Sequence, residues 1–509
     1  MGKEDGDCAT KEEDIEAGVD IEIQDESREQ QRVDGEKQLE DDFTIVSWDS
    51  PTDPAKPTNW PTNFRWTLIS LCTSVTFCAG LSSSIFAPGV PQLMEEFGSS
   101  NDVLATFVVS IYVLGLGTGP SFFAPLSEIY GRLPIQHVGN LGFLCFTIAC
   151  ALATSLPMLI GFRLLQGIFA AVPLTNGGGI IADMVRQEER GFALSMFTLG
   201  LLTGPVIGPL IGGFLTGAKG WRWSFWVSAI VLAVPFVLCI PLWRETYHPI
   251  LLARKAARLR KETGNSKLRS EYDTGRSPAA HFRHSIARAV KMLVFSPIVL
   301  AFSVYMGLVY SYFYLLLTTL TTVFEQVYHF RPSLVGLAYL GLGVGYLAGQ
   351  FVFAKLSDRI LKAKARKDPN GEMKPEYRLP LAVVGGCAVP IAFFWYGWSA
   401  QAHTHWIVPI IGPGFLGFGN SLIFMSIQAY TIDAFTIFAA SALAANTITR
   451  SIMAAVVPLA APKMYATLGL GWGNSLLAFL ALAMIPVPWF LMTYGERMRL
   501  ANAERMKKF

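Results

Sequence analysis

The chain is 509 residues long, 52% hydrophobic and only 16% charged, with a mean hydropathy of +0.39. Soluble domains carry roughly 25% charged residues, so this composition excludes a soluble multidomain enzyme and, away from the ends, a disordered chain. The net charge of +3 hides an uneven spread: residues 1–66 hold 19 of the 38 acids and 7 of the 41 bases, which leaves the remainder strongly basic.

Residues 1–42 are acidic and polar and contain no apolar run. That predicts a disordered cytosolic tail rather than a secretory leader. The segment Val46–Pro61 then carries four prolines. They predict an extended lead-in that delivers Trp60 and Trp66 to a membrane interface, where indoles prefer to sit.

From there the sequence is a train of apolar runs, each near the ~20 residues that cross a bilayer. We place them at 66–88, 103–125, 135–154, 157–182, 191–217, 222–243, 296–324, 334–356, 379–398, 406–430, 440–465 and 472–494. No strand period is present, and backbone groups in lipid must be satisfied internally, so the runs are expected to be helices. Lys and Arg concentrate in the even-numbered connections, twelve of them in the loop between the sixth and seventh runs. The odd connections hold Lys219, Arg222, Arg331 and Lys463. Excess basic charge marks the cytosolic side, so both termini are expected there.

A shift of 230 residues lays the second run on the eighth: Leu104 on Leu334, Gly115 on Gly345, Gly119 on Gly349 and Phe123 on Phe353. Ala124-Pro-Leu-Ser-Glu128 then falls on Ala354-Lys-Leu-Ser-Asp358. Two like-oriented halves with a site between them describe the major facilitator architecture. The expected fold is therefore an all-α membrane protein of twelve helices in two pseudo-symmetric six-helix bundles. The bundles are expected at 66–244 and 293–495, after a tail and lead-in at 1–65. A basic loop at 245–292 would join them and a short tail would close the chain at 496–509.

Energy cannot come from a Walker-type phosphate loop, because no Lys-Ser or Lys-Thr dipeptide occurs. No nucleotide, nucleic acid, cofactor or metal is expected: Cys8 lies in the tail and the other six cysteines in apolar stretches, without a Cys-x-x-Cys, and the histidines lack ligand spacing. In Ala124-Pro-Leu-Ser-Glu-Ile-Tyr-Gly-Arg-Leu-Pro134, Gly131 suits a tight turn, and Glu128 and Arg132 are placed to pair with neighbouring helix ends. A solvated turn would use the same residues. The segment resembles motif A of the major facilitator superfamily, Gly-x-Leu-x-Asp-x-x-Gly-Arg-Arg. It departs at Ala124, Glu128 and Leu133, which leaves the latch one charge short.

Arg163, in Gly161-Phe-Arg-Leu-Leu-Gln-Gly167, is one of two bases inside a span, with Arg450. A base in the bilayer core costs roughly 2.5 kcal/mol or more unless paired or wetted, so a functional role is expected, with snorkelling to the interface as the alternative. The stretch is similar to motif B of proton antiporters, which implies a part in proton coupling. Arg163→Ala is accordingly expected to abolish transport while leaving the protein in the membrane. Asp183 is a candidate partner for Arg132, with Asp433 its counterpart in the second half. Gly200, Gly204, Gly208 and Gly212 recur every fourth residue, followed by Gly213 and interleaved with Pro205 and Pro209. Close helix packing explains such a stripe by itself, but the run resembles motif C of drug-exporting antiporters.

The resemblance extends to the fungal twelve-helix drug:proton antiporters, through Trp48-Asp-Ser-Pro-x-Asp-Pro-x-x-Pro-x-Asn-Trp60, Glu245-Thr-Tyr-His-Pro and Ala440–Arg450. It implies proton-driven export of drugs, toxins or secondary metabolites across the plasma membrane by a monomer. By the same analogy a central cavity would use Tyr305, Tyr310, Tyr312 and Tyr314 of the seventh helix, with Asn176, Asn420, Gln428 and Asn446. Tyr305 and Tyr312 share one helical face, Tyr310 and Tyr314 another. No Asp or Glu falls in the middle of a span, which favours neutral or anionic cargo over a strong cation. An importer on the same fold and a non-transporting sensor are the competing expectations.

Overall fold

The computed structural model describes residues 44–186, 190–273, 290–368, 373–435 and 439–506, with Phe282 and Ala287. The disordered tail expected at 1–42 lies outside the described residues. The chain divides into two compact units, residues 1–56 with 248–275 and residues 57–247 with 276–509.

The small unit is built from the lead-in and the long loop. Strand β1 (Thr44–Val46) pairs in parallel with β2 (Leu268–Ser270), Thr44 opposite Leu268. A helix, His248–Thr263, packs beside them and was not anticipated in a loop so basic. Its Ala, Leu, Arg and Lys content favours helix, and Ala256 and Leu259 meet Val46 and Leu268, with the buried Leu252 on the same face. Lys255 donates to Asp49 (2.6 Å) and to the Ser47 carbonyl (3.0 Å), and Ser47 donates to Glu271 (2.7 Å).

The large unit holds the long helices. The first half comprises α1 (Thr62–Ser84), α2 (Asp102–Tyr130), α3 (Arg132–Ala151), α4 (Leu156–Met184), α5 (Arg190–Lys219) and α6 (Arg222–Leu242). The second comprises α7 (Pro297–Gln326), α8 (Leu340–Ala365), α9 (Pro380–Gln401), α10 (Ile407–Phe435), α11 (Ala439–Val456), α12 (Ala461–Met484) and α13 (Pro486–Met506). Asn101 caps α2 by accepting from the Val103 and Leu104 amides. Among the described residues eleven helical stretches are long and apolar enough to cross a membrane. The last of them, Ala442–Arg499, is 58 residues, over twice what one crossing needs. Gly469 (φ 71°, ψ 176°) breaks it, and a methyl group at Gly473 would touch the ring of Tyr465, eight residues earlier. In a straight helix those residues stand about 12 Å apart, so the chain turns back there, and among the described residues the last stretch supplies two segments and the count becomes twelve.

The halves repeat in their packing. In the first, α2 packs on α4, α1 on α5 and α3 on α6; in the second, α8 packs on α10, α7 on α11 and α9 on α12. The matched glycines explain the first pairing: Gly115 and Gly119 lie against the α4 backbone, Gly345 and Gly349 against that of α10. Trp60, expected at the interface, is buried instead and meets Phe64 edge-on in the first-half core.

Candidate functional site

At one end of the large unit each half carries an arginine held by carboxylates. In the first half α2 ends at Gly131 (φ 103°), a conformation glycine adopts readily, and a Cβ there would strike the Glu245 carboxylate. Glu245, buried, accepts from the amides of Arg132 (2.9 Å), Leu133 (3.2 Å), Thr246 (3.1 Å) and Tyr247 (3.0 Å). It thereby caps the positive end of α3. Arg132 donates to Ser127 (2.8 Å), pairs with Asp183 (3.6 Å) and lies 4.8 Å from the centre of the Tyr247 ring. Burial pushes the Tyr247 phenol up to about 12, with the Glu128 and Asp183 carboxylates adding and Arg132 opposing.

The second half builds the same cluster with an arginine from elsewhere in the sequence. Arg378 donates to Ser357 (3.0 Å), Asp358 (2.6 Å) and Asp433 (3.1 Å). It stands just before α9, as Arg132 opens α3, but 246 residues later rather than 230, because the turn after α8 is 16 residues longer. At an offset of 230 residues Arg132 falls on Lys362, so the sequence match does not find this base. Glu376 beside it pairs with Arg499 (3.3 Å). Glu245, Glu376 and Arg378 escaped notice as site residues because a fixed-offset comparison cannot follow an inserted loop.

Far from this ion-pair end, the halves touch. Ser110 of α2 donates to the Ala455 carbonyl of α11 (3.0 Å), and Gly117 faces Ser451. Gly217 of α5 lies against Ser333, Gly336 against Pro209 and Leu210, and Gly343 of α8 against Val206. The glycine stripe of α5 serves a different contact, within the first half. A Cβ on Gly200 would meet Thr73 (2.6 Å), on Gly204 the Phe77 carbonyl (2.7 Å), and on Gly208 and Gly212 the Ser84 hydroxyl and the Ile85 carbonyl. The α5 backbone is thus laid directly on α1. Pro205 sits at that contact, against Gly80, Pro209 meets Gly336 across the halves, and Gly213 is buried.

Arg163 does not snorkel to a helix end, and Asp183, twenty residues along α4 and about 30 Å away, pairs with Arg132 as expected. Arg163 is fully buried, and all five N–H donors find neutral acceptors. These are the Ser82 carbonyl (2.8 Å), the Ser83 carbonyl (3.5 Å), the Val108 carbonyl (3.3 Å), the Val109 carbonyl (3.5 Å) and Gln166 Oε1 (3.1 Å). Gln166 is fixed in turn by donating its amide Nε2 to the Thr147 hydroxyl (2.9 Å). The Tyr112 ring lies 4.7 Å away, with Phe86 and Phe225 at 5.7 Å. Arg163 therefore ties α1, α2 and α4 together.

The tyrosines of α7 divide by face. Tyr312 donates to the Leu477 carbonyl (3.1 Å) and packs on Phe393, and Tyr305 lies against Gly386, so both turn into the second bundle rather than toward the other half. Tyr314 lies beside Ser83 of α1, and Tyr310 packs on Tyr314 (5.1 Å) and under Arg450. Asn446 accepts from Ser303 and so joins α11 to α7. Asn176 is buried with both amide atoms unpaired, Asn420 with its Nδ2 unpaired, and Gln428 is half-buried.

The model of the Major Facilitator Superfamily matches residues 72–458. The chain belongs to that superfamily. It is 55% identical over 460 residues to the MFS-type transporter tndD of Aspergillus flavipes, covering 90% of this chain and 86% of that protein. It is 50% identical to the efflux pump radE of Floropilus chiversii (91% and 86% covered) and 49% identical to the MFS-type transporter penM of Penicillium rubens (91% of each). Among solved structures it resembles the xylose transporter XylE from E. coli in a partially occluded inward open conformation, with TM-score 0.63 and 15% identity over 84% of this chain and 98% of that one. The major facilitator fold and a secondary transporter's role follow for this chain.

Proposed function

We propose that the protein exports small, largely apolar organic molecules, of the drug, toxin or secondary-metabolite kind, by alternating access. The observation that carries this is the aromatic seam between the halves. Tyr310 and Tyr314 of α7 meet there beside Tyr112 and Ser83 of the first half, offering flat apolar area with polar edges. The halves touch in the helix portions remote from the ion-pair clusters. With the basic connections on the cytosolic side, that is the arrangement of a transporter closed outward and facing the cytosol, where an exporter loads. The direction of transport draws support from the α5 glycine stripe and from relatives bearing the name efflux pump.

Proton exchange, a plasma-membrane location, cytosolic termini and a monomeric state complete the reading. The clusters around Arg132 with Asp183 and Arg378 with Asp358 and Asp433 would act as the gating latches. The test is profiling of intracellular and extracellular metabolites in a deletion strain, beside transport into vesicles with and without an imposed proton gradient. Cargo retained inside deleted cells supports export, and cargo excluded from them supports an importer. Equal rates with and without the gradient would remove proton coupling.

A further inference from the structure

Arg450 has the environment of a cation waiting for an anion. It lies on α11 at the same face as Asn446, one turn earlier, which is bonded to Ser303 of α7. The next residue, Ser451, meets Gly117 of α2, in the other half. The lipid-facing side of this helix is marked by Ile452 and Val456, 45% and 57% exposed, and Arg450 points about 200° around the helix from Ile452. The guanidinium therefore projects inward, beside the boundary between the halves. Its carbon lies 4.5 Å from the centre of the Tyr310 ring and 5.0 Å from that of Phe424.

Those two rings stack on it, and Tyr346 is a further neighbour. Among the described residues Arg450 makes no ion pair, and its buried Nε has no hydrogen-bond partner. Aromatic faces stabilise a cation but leave its directional donors unused. A guanidinium presents a planar fork that matches a carboxylate with two parallel bonds. Among the described residues no carboxylate pairs with Arg450, and Glu128, Asp183, Asp358 and Asp433 belong to the ion-pair end.

We propose that Arg450 is the anion-binding point of the substrate site, and that the cargo is an aromatic or polyenic organic acid. Its ionised carboxylate or enolate docks on the Arg450 fork while its flat apolar body lies along Tyr310 and Tyr314. The inference rests on reading the aromatic seam between the halves as the substrate chamber. It goes further by fixing the charge of the cargo and the residue that reads it.

The experiment uses full-length protein in lipid nanodiscs and a matched probe pair, 1-naphthoate and 1-naphthamide, which share ring and size but differ in charge. Equilibrium binding is measured calorimetrically at neutral pH. The wild type is expected to bind the acid at least about tenfold more tightly than the amide, the scale of one charge-assisted, fork-matched contact. Arg450→Gln is expected to bring the two within about twofold, by weakening the acid alone. Arg450→Lys, which keeps the charge and loses the fork, is expected to hold about a threefold preference and covers the case in which the Gln variant does not fold. Equal binding by the wild type, no binding of either probe, a tenfold preference surviving in the Gln variant, or parity in the Lys variant would each overturn the assignment. Vesicle transport of the same pair separates the two readings. Acid-selective binding without transport leaves Arg450 as an anion site and removes the export function.

Discussion

Arg163 and Arg450 are both single bases set among apolar helices, both stacked on tyrosine, and both without a carboxylate. Their hydrogen bonding is opposite. Arg163 spends every donor on backbone carbonyls and Gln166 inside the first half. Arg450 leaves its donors to whatever enters beside Tyr310. Burial alone does not separate a structural cation from a binding one; the list of acceptors does.

The contrast breaks most sharply at Arg163. Removing its side chain leaves up to four carbonyls from two helices without their donor, at about 1–3 kcal/mol for each group that stays buried and unsatisfied. Arg163→Ala is therefore expected to deplete folded protein from the membrane as well as transport, read by size-exclusion fluorescence and a thermal melt. This replaces the expectation, drawn from motif resemblance, of a stable but inactive variant. A stable Arg163→Ala with normal melting would make the two arginines alike and undo the distinction.

Next in size is Arg450→Gln. It gives up two cation–π contacts, at about 1 kcal/mol or less in stability after screening, so its melt should stay near that of the wild type while acid selectivity falls. A smaller effect is expected at Tyr112→Phe, which keeps the ring under Arg163 but loses the 2.7 Å bond to the Ala79 carbonyl. The cost should be about 1 kcal/mol in stability, with acid selectivity retained. The smallest is Tyr310→Leu, which keeps apolar area beside Arg450 but removes one face. It should weaken binding of the naphthyl probes by about threefold to fivefold, acid and amide alike, and a loss confined to the acid would place the anion on the phenol instead.

Much of this architecture could be read from residues alone, for identifiable reasons. Spans are legible because lipid enforces length and apolarity, and the offset matching Gly115 to Gly345 and Gly119 to Gly349 reflects a shared backbone contact. Helix ends were less visible: α2 runs to Tyr130 and α8 to Ala365, past the apolar stretch, because the turns they enter are ordered by ion pairs. Arg132 with Asp183 was legible, since both stand at helix ends on one side. Arg378 was hidden by a length change in the turn before it. The division of Tyr305 and Tyr312 from Tyr310 and Tyr314 followed from helical period, but which face looks inward is decided by neighbours such as Leu477 and Ser83, distant in sequence. The partners of Arg163 were unreadable in principle, because four of the five are carbonyls, which every residue carries.

The backbone contact between α1 and α5 has a mechanical corollary. Where two helices meet through glycine, no rotamers intervene to absorb a shift, so the pair behaves as a joint without play. Helix α5 bears on Ser333, Gly336 and Gly343 across the divide, while α1 presents the Ser82 and Ser83 carbonyls to Arg163. A push from the second half is handed on undiminished to the core of the first, and the two halves are geared rather than merely adjacent.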